Sequence, residues 1–266
     1  MIRDITLGQY YPSDSVIHKL DPRTKLFGTI VYIVSLFLCR NWIGYGLACI
    51  CLALFVAISK VPVSFIVRGL KSIMILLLIS VSFNLFLTQG EVVFAIGPIH
   101  ITREGITIAC QMMVRLVCLV IGTSLMTLTT TPNMLTDGME KGLGFLKVIG
   151  IPVHEIAMMM SIALRFIPIL IEETDKIMKA QMARGADFES GNLIKKAKAL
   201  VPLLVPLFIS AFRRASDLAT AMEARCYHGG DGRTKMKPLK YATRDYVAYV
   251  IIFAMLAAFI VIRIYG

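Results

Sequence analysis

The sequence predicts an all-α integral membrane protein, with about five transmembrane helices and further long helices on the cytoplasmic side. Hydrophobic residues make up 57% of the chain and the mean hydropathy is +0.74, both above the values usual for soluble proteins. Several charge-free windows approach the ~20 residues that cross ~30 Å of hydrocarbon. The net charge of +11 is concentrated in one region between these windows. These three observations define the fold class.

The first helix is predicted to begin at Asp21-Pro22-Arg23. Asp21 can cap a helix, Pro22 suits the first helical position, and Arg23 and Lys25 can lie at the level of the lipid headgroups. Five spans are then expected in chain order: Leu26–Cys39 with its flanks, Asn41–Ser59, Ser72–Gly90, Leu116–Thr136 and Tyr246–Ile262.

Between the fourth and fifth spans the chain alternates apolar patches with charge. Thr131-Pro132 predicts a helix that continues to about Leu146. Two long helices are expected next, at 153–186 and 193–225. Pro168 should kink the first of them, and its acidic residues Glu172 and Glu173 are expected to pair with lysines on the same helix.

Basic residues indicate how the chain is oriented. Residues 172–244 contain 14 Lys and Arg against 8 Asp and Glu, and the N-terminal segment is also basic. Because cytoplasmic loops are enriched in Lys and Arg, the N-terminus and this region are predicted to be cytoplasmic. The charge is explained by orientation and by anionic lipid, so no nucleic-acid partner is expected. Four segments follow: a cytoplasmic N-terminal segment (1–25), a four-helix transmembrane region (26–130), the cytoplasmic helical region (131–244) and a C-terminal transmembrane helix (245–266).

Catalysis is not expected of this chain. No phosphate-binding G-x-x-x-x-G-K-[ST] loop occurs, the four histidines are scattered, and the six cysteines follow neither a zinc nor a disulfide spacing. We therefore predict no catalytic residue, no cofactor and no metal site. An integral membrane enzyme is the least favoured reading. A self-sufficient permease would need polar residues in its spans, and Asn84, Gln111 and Arg115 are the notable candidates, with Arg115 placed near a helix end.

Two matched arginines are the most informative feature. An Ala-x-x-Ala-Arg pattern closes each long helix, and a guanidinium there can form bidentate bonds with a partner's carboxylates. The predicted contact residues are Ala183, Arg184 and Gly185 in the first helix and Ala224, Arg225 and Cys226 in the second.

The combination of motifs resembles the transmembrane T component of energy-coupling factor transporters. Three places carry the resemblance: the N-terminal stretch 15–26 that contains Asp21, Pro22 and Arg23, the mid-chain stretch 164–168 that contains Arg165 and Pro168, and the two Ala-Arg motifs. Cys226 departs from the family's pattern, which usually has glycine there.

The resemblance implies a complex of several proteins in a prokaryotic cytoplasmic membrane. Two ABC-type ATPases would each receive one arginine-tipped coupling helix. One or more small membrane proteins, the S components, would bind a vitamin or a transition-metal ion. ATP binding and hydrolysis would move the coupling helices and reorient the S component, and this chain would bind no solute itself.

Overall fold

Helices make up most of the described chain. The computed structural model describes residues 10–96, 99–186, 188, 193–230, 236 and 238–265. Within them the elements are, in chain order, α1 (Pro22–Leu38), α2 (Trp42–Ser59), α3 (Val63–Leu87), β1 (Val92–Ile96), β2 (Ile99–Thr102), α4 (Arg103–Thr129), α5 (Pro132–Gly142), a 3₁₀ helix (Gly144–Ile149), α6 (Val153–Ala183), α7 (Leu193–Glu223) and α8 (Thr243–Tyr265).

Four helices among the described residues are long and apolar enough to cross a membrane, namely α2, α4, α6 and α8. Helix α3 is a fifth candidate if its two arms, bent by 60° between Lys71 and Ile73, form one span. The predicted all-α membrane fold with about five spans is therefore confirmed, although the set of helices differs. Helix α1, at 17 residues, extends only ~26 Å. Helix α6, which is predicted from the sequence to lie on the cytoplasmic side, is long and apolar enough to cross a membrane.

The start of α1 is as predicted. Asp21 is the N-cap and its side chain accepts a hydrogen bond from the backbone N–H of Arg23, while Pro22 occupies the first helical position. This agreement is expected because a cap depends only on residues within one helical turn.

Helices α3 and α4 begin well before the predicted spans. The predicted spans begin after charged residues, but a charged residue does not end a helix. Thr102 caps α4 instead, accepting a hydrogen bond from the N–H of Gly105 at 3.1 Å. A short antiparallel hairpin, which the sequence analysis did not predict, links these helices, with Val92 paired to Thr102 and Ala95 to His100.

The described chain divides into two units. One contains residues 8–138 and 239–266 in their described parts, and its helices α1, α2, α4 and α8 share an apolar core. The buried members of this core are Tyr32, Leu36, Cys39, Tyr45, Ala48, Leu52, Cys118, Met255 and Phe259.

The other unit contains the described parts of residues 139–238. Helices α6 and α7 contact each other in it, and each has 31 residues. Helix α6 continues through Pro168, and α7 continues through Pro202 and Pro206. Helix α5 ends at Gly142, earlier than predicted, because the chain changes to a 3₁₀ helix at Gly144.

Candidate functional site

The end of α6 forms a Schellman turn. The N–H of Gly185 donates to the carbonyl oxygen of Met182 at 3.0 Å, and the N–H of Ala186 donates to that of Gln181 at 3.0 Å. Gly185 has φ of +88°, a left-handed conformation that only glycine adopts without steric cost. Arg184 is the C-cap residue of the helix.

The end of α7 repeats this turn. The N–H of Cys226 donates to the carbonyl oxygen of Glu223 at 2.9 Å, and the N–H of Tyr227 donates to that of Met222 at 3.0 Å. Arg225 therefore occupies the same position in its turn as Arg184 does in the first.

Cys226 takes the left-handed position despite its side chain. Its φ is +56°, close to the left-handed helical value, and it is one of two described residues other than glycine with positive φ. The departure from glycine therefore leaves the backbone turn intact. It carries a conformational cost of ~1–2 kcal/mol, because Cβ comes close to the following carbonyl oxygen.

Both arginines are exposed. Neither side chain has a hydrogen-bonding or ionic partner among the residues that the structure describes. The neighbouring Ala183 and Ala224 are exposed and small, so a partner surface can approach the guanidinium closely. A cation at a helix C-terminus is also favoured by the helix dipole. The two helix ends thus present two equivalent cations, each able to bind a carboxylate bidentately.

The acidic cluster of α6 is used differently from the prediction. Glu173 pairs with Arg214 of α7 rather than with a lysine of its own helix. The distance from Arg214 Nη2 to Glu173 Oε2 is 2.6 Å, and both side chains are partly buried. This ion pair links the two arginine-tipped helices.

Arg165 and Pro168 lie within α6, and both are exposed. No contact in the described chain links Arg165 to the arginine-tipped helix ends. The structural role that the resemblance implies for this motif therefore stays a prediction.

The N-terminal motif forms a buried polar cluster. Arg23 binds Asp21 through two bonds, Nε to Oδ1 at 3.0 Å and Nη2 to Oδ2 at 2.9 Å, and its guanidinium lies 4.0 Å from the ring centre of Tyr241. Burial acts to raise the pKa of the Asp21 carboxyl, but the bonds from Arg23 outweigh it and hold that pKa below its usual value.

Sequence reasoning missed Asp245, which completes this cluster. Its carboxylate accepts from the N–H of Asp21 at 2.8 Å and from the N–H of Ala242 at 2.8 Å, and the residue is only 2% exposed. No local signal connects residues 224 positions apart.

The side chain of Lys25 is enclosed by protein. It is buried, and Nζ donates to the carbonyl oxygens of His18 at 3.1 Å and of Thr129 at 2.8 Å. Burial lowers the pKa of Lys25 to about 8, against an opposing effect of Asp245 and Asp21. This cluster therefore ties the N-terminal segment to the end of α4 and the start of α8.

The polar residues considered for a solute path are bonded to nearby groups. Asn84 donates to the carbonyl oxygen of Ser80, and Gln111 to that of Arg40. Arg115 lies in the middle of α4, not near its end as expected, and donates to the carbonyl oxygen of Cys39 and to the hydroxyl of Tyr45. Each of these three side chains therefore donates a hydrogen bond to a backbone carbonyl group of the protein.

Comparisons with known proteins identify this chain as similar to transporter components. The profile of the family described as cobalt transport protein, CbiQ, matches residues 13–236. The chain is 55% identical to the energy-coupling factor transporter transmembrane protein EcfT of Clostridium kluyveri, over 100% of this chain and 99% of that protein. It is 52% identical to the protein of the same name from Thermosediminibacter oceani, over 94% of each chain. It is 47% identical to that of Lactococcus lactis subsp. cremoris, over 96% of each. With more than half of its length matched by the profile and its whole length by relatives, the chain belongs to the CbiQ/EcfT family of transporter transmembrane components.

Proposed function

We propose that this chain is the coupling subunit of an energy-coupling factor transporter and that its two arginine-tipped helices bind two ABC-type ATPases. The carrying observation is the repetition of one helix end: Arg184 and Arg225 occupy equivalent C-cap positions, are exposed and lack partners among the described residues. Two equivalent contact points suit two similar partners. The arginine-bearing ends would face the cytoplasm, where ATP is available.

A small membrane S component that binds a vitamin or a metal ion is the second proposed partner. Helix α7 supports this part of the proposal, because an apolar stripe along it is exposed. Phe208 and Phe212 are 63% and 66% exposed, and Leu204, Val205 and Ile209 continue the stripe with helical spacing. A surface of this kind needs lipid or a membrane partner to cover it. Reorientation of the S component would follow movement of these helices, and this chain would have no catalytic role.

Affinity purification of the tagged chain from its native membrane tests the proposal. Mass spectrometry should identify two ABC-type ATPase chains and at least one small membrane protein, which would also name the solute. Recovery of the chain alone would contradict the proposal.

The variants Arg184→Ala and Arg225→Ala locate the contacts. Truncating one partner of a buried charge contact costs ~2–5 kcal/mol, so each variant should lose one ATPase or uncouple ATP hydrolysis from uptake. Arg213→Ala is the matched control, since Arg213 is also exposed on α7 but does not lie at a helix end. Normal ATPase binding and normal solute uptake by the double variant would refute the assignment.

A further inference from the structure

The ion pair between α6 and α7 has a fixed relation to the two arginine tips. Glu173 and Arg214 are 41 residues apart, and the same offset separates Arg184 from Arg225. Each partner of the pair therefore lies eleven residues before the arginine of its own helix. At 1.5 Å per residue, that is ~16 Å along each helix. The pair marks equivalent points on two arms of equal length.

Charge at these equivalent positions is opposite. Helix α6 has Glu172 and Glu173 where α7 has Arg213 and Arg214. Contact of α6 with α6, or of α7 with α7, from a second copy would place like charges together at this point. Contact of α6 with α7 within one chain places opposite charges together. The arrangement therefore selects the pairing that the structure contains.

The contact is also specific in its geometry. The bond of 2.6 Å is a charge-assisted hydrogen bond, and the two side chains retain only 39% and 27% exposure for Arg214 and Glu173. Within the described residues it is the one ion pair that joins α6 to α7.

We propose that Glu173 and Arg214 are positioning residues that form a fixed pivot between the two coupling helices. This inference rests on the proposed function, since it assigns the arms beyond the pivot to the two ATPases. When ATP moves one arginine tip, the pivot holds the contact between α6 and α7 in place and transmits the movement to the other arm. The separation of the arms changes, while the separation at the pivot stays constant.

Spin-label distances in the purified transporter complex test this directly. One pair of labels is placed at residues 179 and 220, equivalent exposed positions near the tips, and another at 172 and 213, next to the pivot. Labels attached through an unnatural amino acid leave the native cysteines in place. Adding adenylyl imidodiphosphate should shift the 179–220 distance by several ångströms and leave the 172–213 distance within ~2 Å. An equal shift at both pairs would overturn the pivot.

Charge variants give the second test. Glu173→Gln and Arg214→Gln should each broaden the 179–220 distance distribution at least twofold and lower nucleotide-dependent movement, with both ATPases still bound. The exchange Glu173→Arg with Arg214→Glu should restore the original distribution. Glu172→Gln and Arg213→Gln are the matched controls and should resemble the unmodified chain.

The outcomes separate the two proposals. If Arg184→Ala and Arg225→Ala release the ATPases while Glu173→Gln behaves like the unmodified chain, the pivot alone is wrong. If the double arginine variant keeps both ATPases and normal solute uptake, the proposed docking is wrong. If the single pivot variants fail to assemble, the charge exchange decides: restored assembly and movement support the pivot, and continued failure overturns it.

Discussion

Asp245 is the residue whose loss should most disturb the N-terminal cluster. Its two carboxylate oxygens accept the N–H groups of Asp21 and Ala242, both at 2.8 Å, in a site that is 2% exposed. In Asp245→Asn the amide oxygen can accept only one of these bonds in the same geometry, and its NH₂ group faces the other donor. One buried N–H without an acceptor costs ~1–3 kcal/mol, and loss of the charge weakens the remaining bond by ~1 kcal/mol.

The expected loss is therefore about 3 kcal/mol, which corresponds to a fall of ~6–12 °C in the unfolding midpoint. The midpoint can be measured in detergent by heating, followed by size-exclusion chromatography with fluorescence detection. Asp217→Asn is the control, because Asp217 is an exposed carboxylate on α7, and its midpoint should change by no more than ~1 °C. If the unfolding midpoint of Asp245→Asn equals that of the control, the two hydrogen bonds do not stabilise the fold and the reasoning is wrong.

Three further predictions concern named backbone and packing features. Burial lowers the pKa of Lys25 to about 8 from the usual 10.5, so between these values the unfolded chain holds a proton that the folded chain has released. The free energy of unfolding should then rise by up to ~3 kcal/mol as the pH increases from 8 to 10.5. The variant Lys25→Met should flatten this part of the pH profile of the unfolding midpoint. A variant profile equal to that of the unmodified chain would contradict the burial argument. Cys226→Gly should relieve the left-handed backbone strain by ~1 kcal/mol and slow hydrogen–deuterium exchange in the last turn of α7. Gly185→Ala should have the opposite effect and speed exchange at the end of α6. Equal exchange in both variants and the unmodified chain would show that neither position is strained. Gly122→Ala should lower the unfolding midpoint, because a Cβ there would overlap the ring of Tyr32 and overpacking costs ~1–3 kcal/mol; a midpoint equal to that of the unmodified chain would show that α1 and α4 can separate without cost.

Features set by neighbouring residues could be predicted from the sequence. The start of α1 at Pro22 follows from the cap and the proline, and the observed limits of α6 and α7 lie within three residues of those expected. The arginines at 184 and 225 could be recognised because the same short pattern occurs twice. That both helices end in the same turn could not be predicted, because glycine is the usual sequence sign of this turn and the second helix has Cys226 at that position.

Features set by distant residues could not be predicted. The sequence shows that Lys25 is charged, but its acceptors are backbone carbonyl groups, one of them 104 residues away. Glu173 has lysines at helical spacing on α6, so local pairing was the natural expectation, yet Arg214 of the next helix provides a more enclosed partner. The assignment of α6 to the cytoplasmic side relied on charge in its second half, although its first half is apolar enough for a span.

The bond between Asp21 and Asp245 also sets an order of events during synthesis. The two residues are separated by 224 positions, so at ~5–20 residues per second the ribosome reaches Asp245 about 10–45 s after Asp21. During that interval the N–H of Asp21 has no carboxylate to bind, and Lys25 lacks the carbonyl oxygen of Thr129 for much of it. The contact between the start of α1 and the start of α8 can therefore form only after nearly the whole chain has been synthesised.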